Sequence, residues 1–439
     1  MSPSPVRLGV VGTGYVGLTT GACFAHIGHH VVCGDIDQRK VDLLNDGHIP
    51  IVEEGLETIV NDARAAGRLE FVLGAEAAAA DADIVFLCVP TPQGDDGSAD
   101  LSYIEQAAGQ IASVLKPGAV VVNKSTVPVG STIAVERVLQ RPDVHVVSNP
   151  EFLREGTAVH DFLQPDRVVI GSADRGAAEQ VADLYATIDT PILITDPASA
   201  ETIKYAANGF LAMKISFVNA VAAMCEAVGA DVAAVVEGIG SDERIGRQFL
   251  RPGPGWGGSC FPKDSRALVK IAEDHGYNFT MMRGVIDVND EQLERMVTKV
   301  ERAVGRPDGD LSGLTVGALG LTFKAGTDDL RESPALSIIE VLRERGARVR
   351  GFDPTTTGDL TAHQAVSLDG IDLVDDALAV ADGADVIMIF TEWPEFSKLD
   401  LVALAARVGR AVTIVDTRNL LDPALVREAG LEYEGVGRR

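Results

Sequence analysis

Short apolar runs alternate with helical periodicity along this chain. Val6 to Gly12 is an apolar run ending in glycine, and a helical pattern follows from Tyr15 to Ile27. A second run, His30 to Gly34, stops at Asp35. Ala82 to Pro90 is continuously apolar and enters a proline-containing loop, and Gly118 to Asn123 is a further run. Such runs between helical patterns predict buried strands of a parallel, doubly wound sheet. The order recurs past residue 310. Leu314 to Gly320, Arg348 to Phe352 followed by Asp353, Ala384 to Thr391, and Ala411 to Val415 repeat it. Between the two sets, Pro197 to Val228 is alanine-rich, with helical spacing over more residues than an ordinary globular helix. The expected class is α/β: two doubly wound domains of similar topology, joined by a long central helix with a small helical middle region. The expected boundaries are 1–196, 197–305 and 306–439.

Charged residues make up 23% and hydrophobic residues 46% of the chain, a balance that fits a soluble globular protein and excludes a disordered one. A net charge of −26 repels phosphate backbones, so no nucleic-acid partner is expected. The apolar stretch from Ile203 to Val228 contains Lys204, Lys214 and Glu226, which reads as a packed helix, and no membrane partner is expected. The five cysteines are scattered with no CxxC pair, which argues against a disulfide framework and a structural zinc site; no metal is expected. Met1 to Pro5 lack a basic and apolar leader, so no signal peptide is expected and the expected location is the cytoplasm.

Gly12-Thr13-Gly14-Tyr15-Val16-Gly17 fits GxGxxG in the context that pattern requires, after a strand and opening a helix. Glycines let the backbone approach a pyrophosphate, and a helix N-terminus receives its charge. Asp35 ends the second strand, where a carboxylate accepts hydrogen bonds from a ribose 2′-hydroxyl and repels a 2′-phosphate. NAD is therefore expected over NADP, a preference that Lys40 nearby weakens. The domain is read as Rossmann-like, and the second as a Rossmann-like repeat. Gly317-Ala318-Leu319-Gly320-Leu321 has no third glycine at the required offset, so the second domain binds a different nucleotide or none.

Gly257-Gly258-Ser259-Cys260-Phe261-Pro262-Lys263-Asp264 is the most specific stretch. Pro262 suits a first helical turn, which puts Cys260 at a helix N-terminus, where the dipole and Lys263 favour a thiolate. Asp264 falls one turn on, on the same face. A nucleophile with a neighbouring base is what covalent catalysis uses. An isolated cysteine is more often a small buried hydrophobe; the setting of Cys260 argues otherwise. Lys204 and Asn208 form a second i, i+4 pair and can polarise an oxygen that gains charge. Either could equally be an ordinary helix-face residue. Glu151 and Glu155, in Asn149-Pro150-Glu151-Phe152-Leu153-Arg154-Glu155-Gly156, could position a water or simply be surface acids. Ser125-Thr126-Val127-Pro128-Val129-Gly130 follows a strand and could close over a nicotinamide.

Seven motifs occur in order: GTGYVG, VPTP at Val89 to Pro92, STVPVG, NPEFLREG, the KxxxN of Lys204 and Asn208, GGSCFPKD, and the run from Leu319 to Pro334. On them, from Arg7 to Asn419, the chain resembles the UDP-glucose/GDP-mannose dehydrogenase family. The resemblance implies oxidation of a nucleotide sugar's C6 alcohol to a carboxylate, using two NAD and one water. NAD falls to the first domain and the sugar nucleotide largely to the last, while the central helix forms a homodimer. Cys260 would attack the aldehyde to give a thiohemiacetal and then a thioester. Lys204 and Asn208 would stabilise the oxyanion. Asp264 and Thr126 would hold a water, and Glu151 would assist hydrolysis. Gly12, Gly14, Tyr15, Val16, Gly17, Asp35 and Lys40 fall to the cofactor. Thr91, Thr126, Glu155, Lys263 and Arg331 join them by resemblance. The substrate contacts implied run through Glu151, Phe152, Leu153, Arg154 and Glu155, with Lys204, Asn208 and Cys260. Phe249, Gly253, Gly257, Phe323, Lys324 and Arg418 complete that pocket, and Arg244 would reach the neighbouring subunit's site. Basic groups there answer a diphosphate.

Two positions depart from the family pattern. Trp256 stands where phenylalanine is usual, and Ala220, after Asn219, where many relatives carry glutamate. The motif wording favours UDP-glucose as substrate over GDP-mannose. A two-electron β-hydroxyacid-type dehydrogenase also pairs lysine with asparagine but needs no GGSC cysteine. A catalytically silent nucleotide-sugar binder would not need the intact set of Lys204, Asn208, Cys260 and Asp264.

Overall fold

The computed structural model describes residues 5–94, 99–358 and 360–438, so most of the Met1 to Pro5 stretch lies outside the described residues. The first sheet has eight strands: β1 Arg7–Val11, β2 His30–Asp35, β3 Leu69–Leu73, β4 Ile84–Leu87, β5 Val120–Asn123, β6 His145–Ser148, β7 Val168–Gly171 and β8 Ile192–Thr195. Their order is β3-β2-β1-β4-β5-β6-β7-β8. Every neighbouring pair is parallel except β6 and β7. Val10 stands in register with Cys33 on one side and Phe86 on the other. β4 and β5 are buried at every position, which is why they read as unbroken apolar runs. Under one face Phe24 packs its ring against Phe86, Phe162 and Tyr185, with centroids 5.1, 5.0 and 5.2 Å away.

The second sheet has six strands: β9 Thr315–Leu319, β10 Arg348–Phe352, β11 Asp372–Leu373, β12 Val386–Ile389, β13 Thr413–Asp416 and β14 Glu432–Gly435. They lie in the order β11-β10-β9-β12-β13-β14, all parallel. The α/β class with two Rossmann-like sheets is as expected. In each sheet the order reverses beside the first strand, at β1/β4 and at β9/β12. That reversal leaves a crevice beyond the carboxyl ends of those strands. The unpredicted strands are β3, β6, β7, β8, β11 and β14. Most break the buried apolar pattern: β8 is half exposed, β11 has two residues, and β14 carries Glu432 and Glu434.

The chain forms two compact units, Met1–Ala207 with Lys270–Gly276, and Asn208–Val269 with Tyr277–Arg439. The division falls inside the helix Pro197–Val228, between Lys204 and Asn208. By length and composition this helix could cross a membrane. Yet its buried polar residues Glu201, Lys204, Asn208, Ser216 and Asn219 all have protein partners, which a bilayer would not supply. Phe210, Phe217 and Met224, spaced by seven, are each more than half exposed.

Candidate active site

The cofactor loop is built by its glycines. Gly12 has φ +96°, and a Cβ there would lie 2.6 Å from the Cys88 carbonyl oxygen; at Gly17 it would lie 1.9 Å from the oxygen of Gly12. Both positions are therefore closed to any side chain. Gly14 has nothing within 4 Å of its absent Cβ, so a ligand can approach its backbone. The helix Tyr15–His26 begins there with no side-chain cap. Asp35, buried at the end of β2, accepts from Thr13 N–H at 3.0 Å and Thr13 Oγ1 at 2.5 Å through Oδ2, and from Asp37 N–H at 3.0 Å through Oδ1. Lys40 Nζ stands 3.1 Å from Oδ2. Burial works to raise the Asp35 pKa, but these hydrogen bonds and the Lys40 charge hold it below the usual carboxylate range. Oδ1 keeps acceptor capacity for a ribose hydroxyl. Open backbone at Gly14, an uncapped helix start and an ionised acid at the strand end fit NAD. Val16 packs against the first core and Thr91 is buried on the loop after β4.

In the same unit, the loop Asn149–Gly156 grips the central helix. Lys204 Nζ donates to the Glu151 carbonyl at 2.7 Å and to Oε1 at 2.8 Å, both side chains being buried. Glu151 Oε2 accepts from Leu153 N–H at 2.6 Å. Burial favours the neutral acid, but Lys204, the Leu153 N–H and the charge of Lys124 bring the Glu151 pKa below the ordinary value. Phe152 lies under the Arg167 guanidinium at 3.7 Å, with Lys204 Nζ at 5.4 Å from its ring. Arg154 pairs with Asp161 rather than standing ready for a ligand. Thr126 is buried on the loop after β5, and Ser125 Oγ ties that loop to Val89 by a 2.7 Å bond.

Three acids and bases of this unit escaped the sequence reading. Glu201 accepts from Gly130 N–H, Thr132 N–H and Thr132 Oγ1 at 2.6, 3.0 and 2.7 Å, so it anchors the far end of the Thr126 loop. Glu53 accepts from the Tyr15 hydroxyl and from Gly156 N–H, joining the cofactor helix to the Asn149–Gly156 loop. Lys124 is buried. The signal for Lys124 was present, as a lysine at the end of the apolar run Val120-Val121-Val122-Asn123; Glu53 and Glu201 had none.

In the second unit, Cys260 stands immediately before the helix Phe261–Asp274, half-buried, with Ser259 Oγ 3.6 Å from its sulfur. Asp264 N–H donates to the Cys260 carbonyl at 2.9 Å, the first bond of that helix. The Asp264 side chain is fully buried. It accepts from Asn208 Nδ2 and from Lys263 Nζ, each at 2.6 Å. Asn208, Asp264 and Lys263 are thus joined through their side chains, and Cys260 is tied to them through its backbone carbonyl. Gly257 and Gly258 are required by contact: a Cβ would lie 2.0 Å from the Glu332 oxygen in one case and 2.7 Å from the Phe323 ring in the other.

The remaining residues fall in the same unit. Gly253 N–H donates to Asn219 Oδ1 at 2.8 Å, with Arg418 close to its Cα. Arg418 donates to the Phe390 and Phe323 carbonyls, and Lys324 Nζ is 5.4 Å from the Phe323 ring. Phe249 has φ +63° and packs against Phe261. Arg331 pairs with Asp329, and the exposed Arg244 with Asp242. Trp256 is buried against Ala212, Met282 and Val285, and its indole N–H donates to Ser216 Oγ at 2.8 Å. Ala220 is exposed.

Three family models match the chain: the NAD binding domain of the UDP-glucose/GDP-mannose dehydrogenase family over residues 6–189, its central domain over 198–291 and its UDP binding domain over 317–423. The UDP-glucose 6-dehydrogenase of Rhizobium meliloti (strain 1021) is 45% identical over 99% of this chain and 100% of its own. That of Pseudomonas aeruginosa is 44% identical over 99% and 98%. A solved UDP-glucose dehydrogenase from Pyrobaculum islandicum superposes with a TM-score of 0.91 at 39% identity, covering 100% of this chain and 99% of that one.

Proposed function

The chain belongs to the UDP-glucose/GDP-mannose dehydrogenase family of NAD-dependent oxidoreductases, and we propose that it oxidises UDP-glucose to UDP-glucuronate in two steps at one site. The observation that carries this reading is Cys260 immediately before a helix whose first turn holds Asp264 against Asn208 and Lys263. NAD, held by the Gly12 to Gly17 loop and Asp35, would supply a hydride acceptor for each oxidation. Lys204 and Asn208 stabilise negative charge on the C6 oxygen. The C6 hydroxyl proton passes to a water held by Asp264 and Thr126. Cys260 Sγ adds to the aldehyde, forming the C–S bond of a thiohemiacetal. That adduct again carries a C–H and an O–H, and its oxidation leaves a thioester. Water attacks the thioester with help from Glu151, releasing the carboxylate and restoring the thiol. Covalent tethering keeps the aldehyde from diffusing away between steps.

Arg418 and Lys324, beside Phe323 and the Phe249 to Gly257 loop, supply positive charge for the diphosphate. The exposed apolar stripe Phe210, Phe217 and Met224 suits a helix-to-helix homodimer, with the exposed Arg244 reaching the partner's substrate. The test is stoichiometric, with limiting UDP-glucose and excess NAD followed to completion. Two NADH per sugar is the expected result. One would remove the thioester step, and none would move the substrate to another nucleotide sugar.

A further inference from the structure

We propose that Lys124 is a positioning residue of this active site: its buried ammonium pins Asn149, the root of the Glu151 loop, and adds a second positive charge beside the Glu151–Lys204 pair. The inference rests on the reading of Glu151 and Lys204 as site residues. Lys124 directly follows β5. Its Nζ donates to Asn149 Oδ1 at 3.0 Å and to the Tyr185 hydroxyl at 3.2 Å, and lies 5.7 Å from the centre of the Tyr185 ring. Tyr185 in turn donates to Asn149 Oδ1 at 2.7 Å. Asn149 Nδ2 donates to the Val169 carbonyl at 2.8 Å, and its backbone N–H to Asn123 at 2.9 Å. Both ends of the amide are held, so the chain enters Pro150-Glu151 in one orientation. Two residues on, Glu151 holds Lys204 by two bonds.

Charge gives the arrangement its purpose. Among the described residues no carboxylate stands within ion-pair distance of Lys124. The ionisable groups that face it are Cys88 from the end of β4, Glu151 and Tyr185, with Lys204 from the central helix. Burial pushes the Cys88 thiol up to about 12 and the Tyr185 phenol well above its usual value, so both are neutral. Two ammonium groups then face one carboxylate, and the surplus favours an anion forming at Lys204. Burial pulls Lys124 itself down to about 8, with Lys204 acting the same way and Cys88 and Glu151 opposing. A residue needed only for packing would not be a desolvated cation.

The test uses the whole enzyme with Lys124→Met and Lys124→Arg. A lysine depressed in the folded state is a stability cost below about pH 8 that fades as pH rises toward the unfolded value. Lys124→Met should therefore melt at pH 7 no lower than wild type. Its kcat should fall about tenfold, less than the loss of a direct oxyanion donor, with KM for NAD unchanged. Wild type should show an inflexion of kcat near pH 8, and Lys124→Met should lack it. Lys124→Arg keeps a permanent cation, so it should hold kcat within about threefold and also lose the inflexion. A destabilised Lys124→Met with the wild-type pH profile makes the residue a structural pin and overturns the proposal. Should that variant fail to fold, an inflexion that persists in Lys124→Arg overturns it equally. A wild type that forms no NADH from any nucleotide sugar fails the functional reading instead. The lysine is then read by ¹⁵N NMR of Lys204 Nζ, whose titration midpoint should lie lower in Lys124→Arg than in Lys124→Met, because only the first keeps a like charge nearby; equal midpoints in the two variants overturn it.

Discussion

The two Rossmann-like sheets repeat one topology and end their first strands differently. Asp35, at the end of β2, takes the N–H and hydroxyl of Thr13 alone from the glycine loop beyond β1, and Gly14 lies open. Asp353, immediately after β10 at the matching strand end, accepts instead from Leu321 N–H, Thr322 N–H and Thr322 Oγ1 of the loop beyond β9, and from Trp393 Nε1. Gly320, at φ +87°, is pressed against Thr391, 2.5 Å from where its Cβ would be. The first loop keeps its backbone available to a pyrophosphate. The second spends its donors on its own acid. One fold thus yields a dinucleotide cradle in one copy and a closed turn in the other, and in the proposed function the diphosphate contact of the second falls to side chains such as Arg418.

The sharpest way to separate binding from chemistry is Cys260→Ser. Turnover to the acid should fall at least about a thousandfold, while NAD titration by fluorescence keeps its wild-type affinity. Next come the paired glycines. Gly12→Ala and Gly320→Ala each force a side chain into left-handed backbone against filled space, a cost of several kcal/mol, at least about 2, in thermal or urea unfolding. Only the first should abolish NAD binding; loss of NAD affinity in Gly320→Ala would break the contrast. The strand-end acids follow. Asp35→Ala should weaken NAD about 10- to 100-fold, the worth of a charged hydrogen bond. Asp353→Ala should leave NAD affinity alone and destabilise by about 3 kcal/mol, since buried donors lose their acceptor.

The smallest expected effect is in acid. Asp35 is held below its unfolded value of about 3.9, so its contribution to stability is present above that pH and lost as pH falls through the lower folded value. Asp416, at the end of β13, is raised by burial, which outweighs the N–H groups of Leu421, Arg418 and Leu420. Its contribution is present below about 3.9 and lost as pH rises through the raised value. Melting temperatures between pH 2.5 and 6 should show Asp35→Asn flattening the acid loss and Asp416→Asn flattening the loss on the other side. The same slope in both would mean the two acids are not opposed.

Much of the fold was legible because its signals are local. Continuous apolar runs marked β1, β2, β4, β5, β9, β10, β12 and β13, and the central helix was read from Pro197 to Val228 with its observed limits. The edge strands β8 and β11 and the antiparallel neighbour β7 were not legible. Edge strands lack a second covered face, and pairing direction is decided by a partner far along the chain. Of the candidate site, Lys204 and Asn208 were legible as a spaced pair on the central helix, and Cys260 and Asp264 as a pair spanning a helix start. Glu201 was not, because its partners Gly130 and Thr132 lie some seventy residues away.

The sequence by itself determined where strands give way to glycine turns, which helix starts carry a cysteine, and that an acid ends the second strand of each repeat. Those properties depend on backbone freedom and on spacing within a few residues. Only the tertiary structure decided that Asp353 closes its own loop while Asp35 leaves Gly14 open, that Lys204 answers Glu151 and Asn208 answers Asp264, and that Lys124 is buried with no ion-pair partner among the described residues. Each buried polar group must find its partner among whatever groups the packing brings near, and distance along the chain carries no record of that choice.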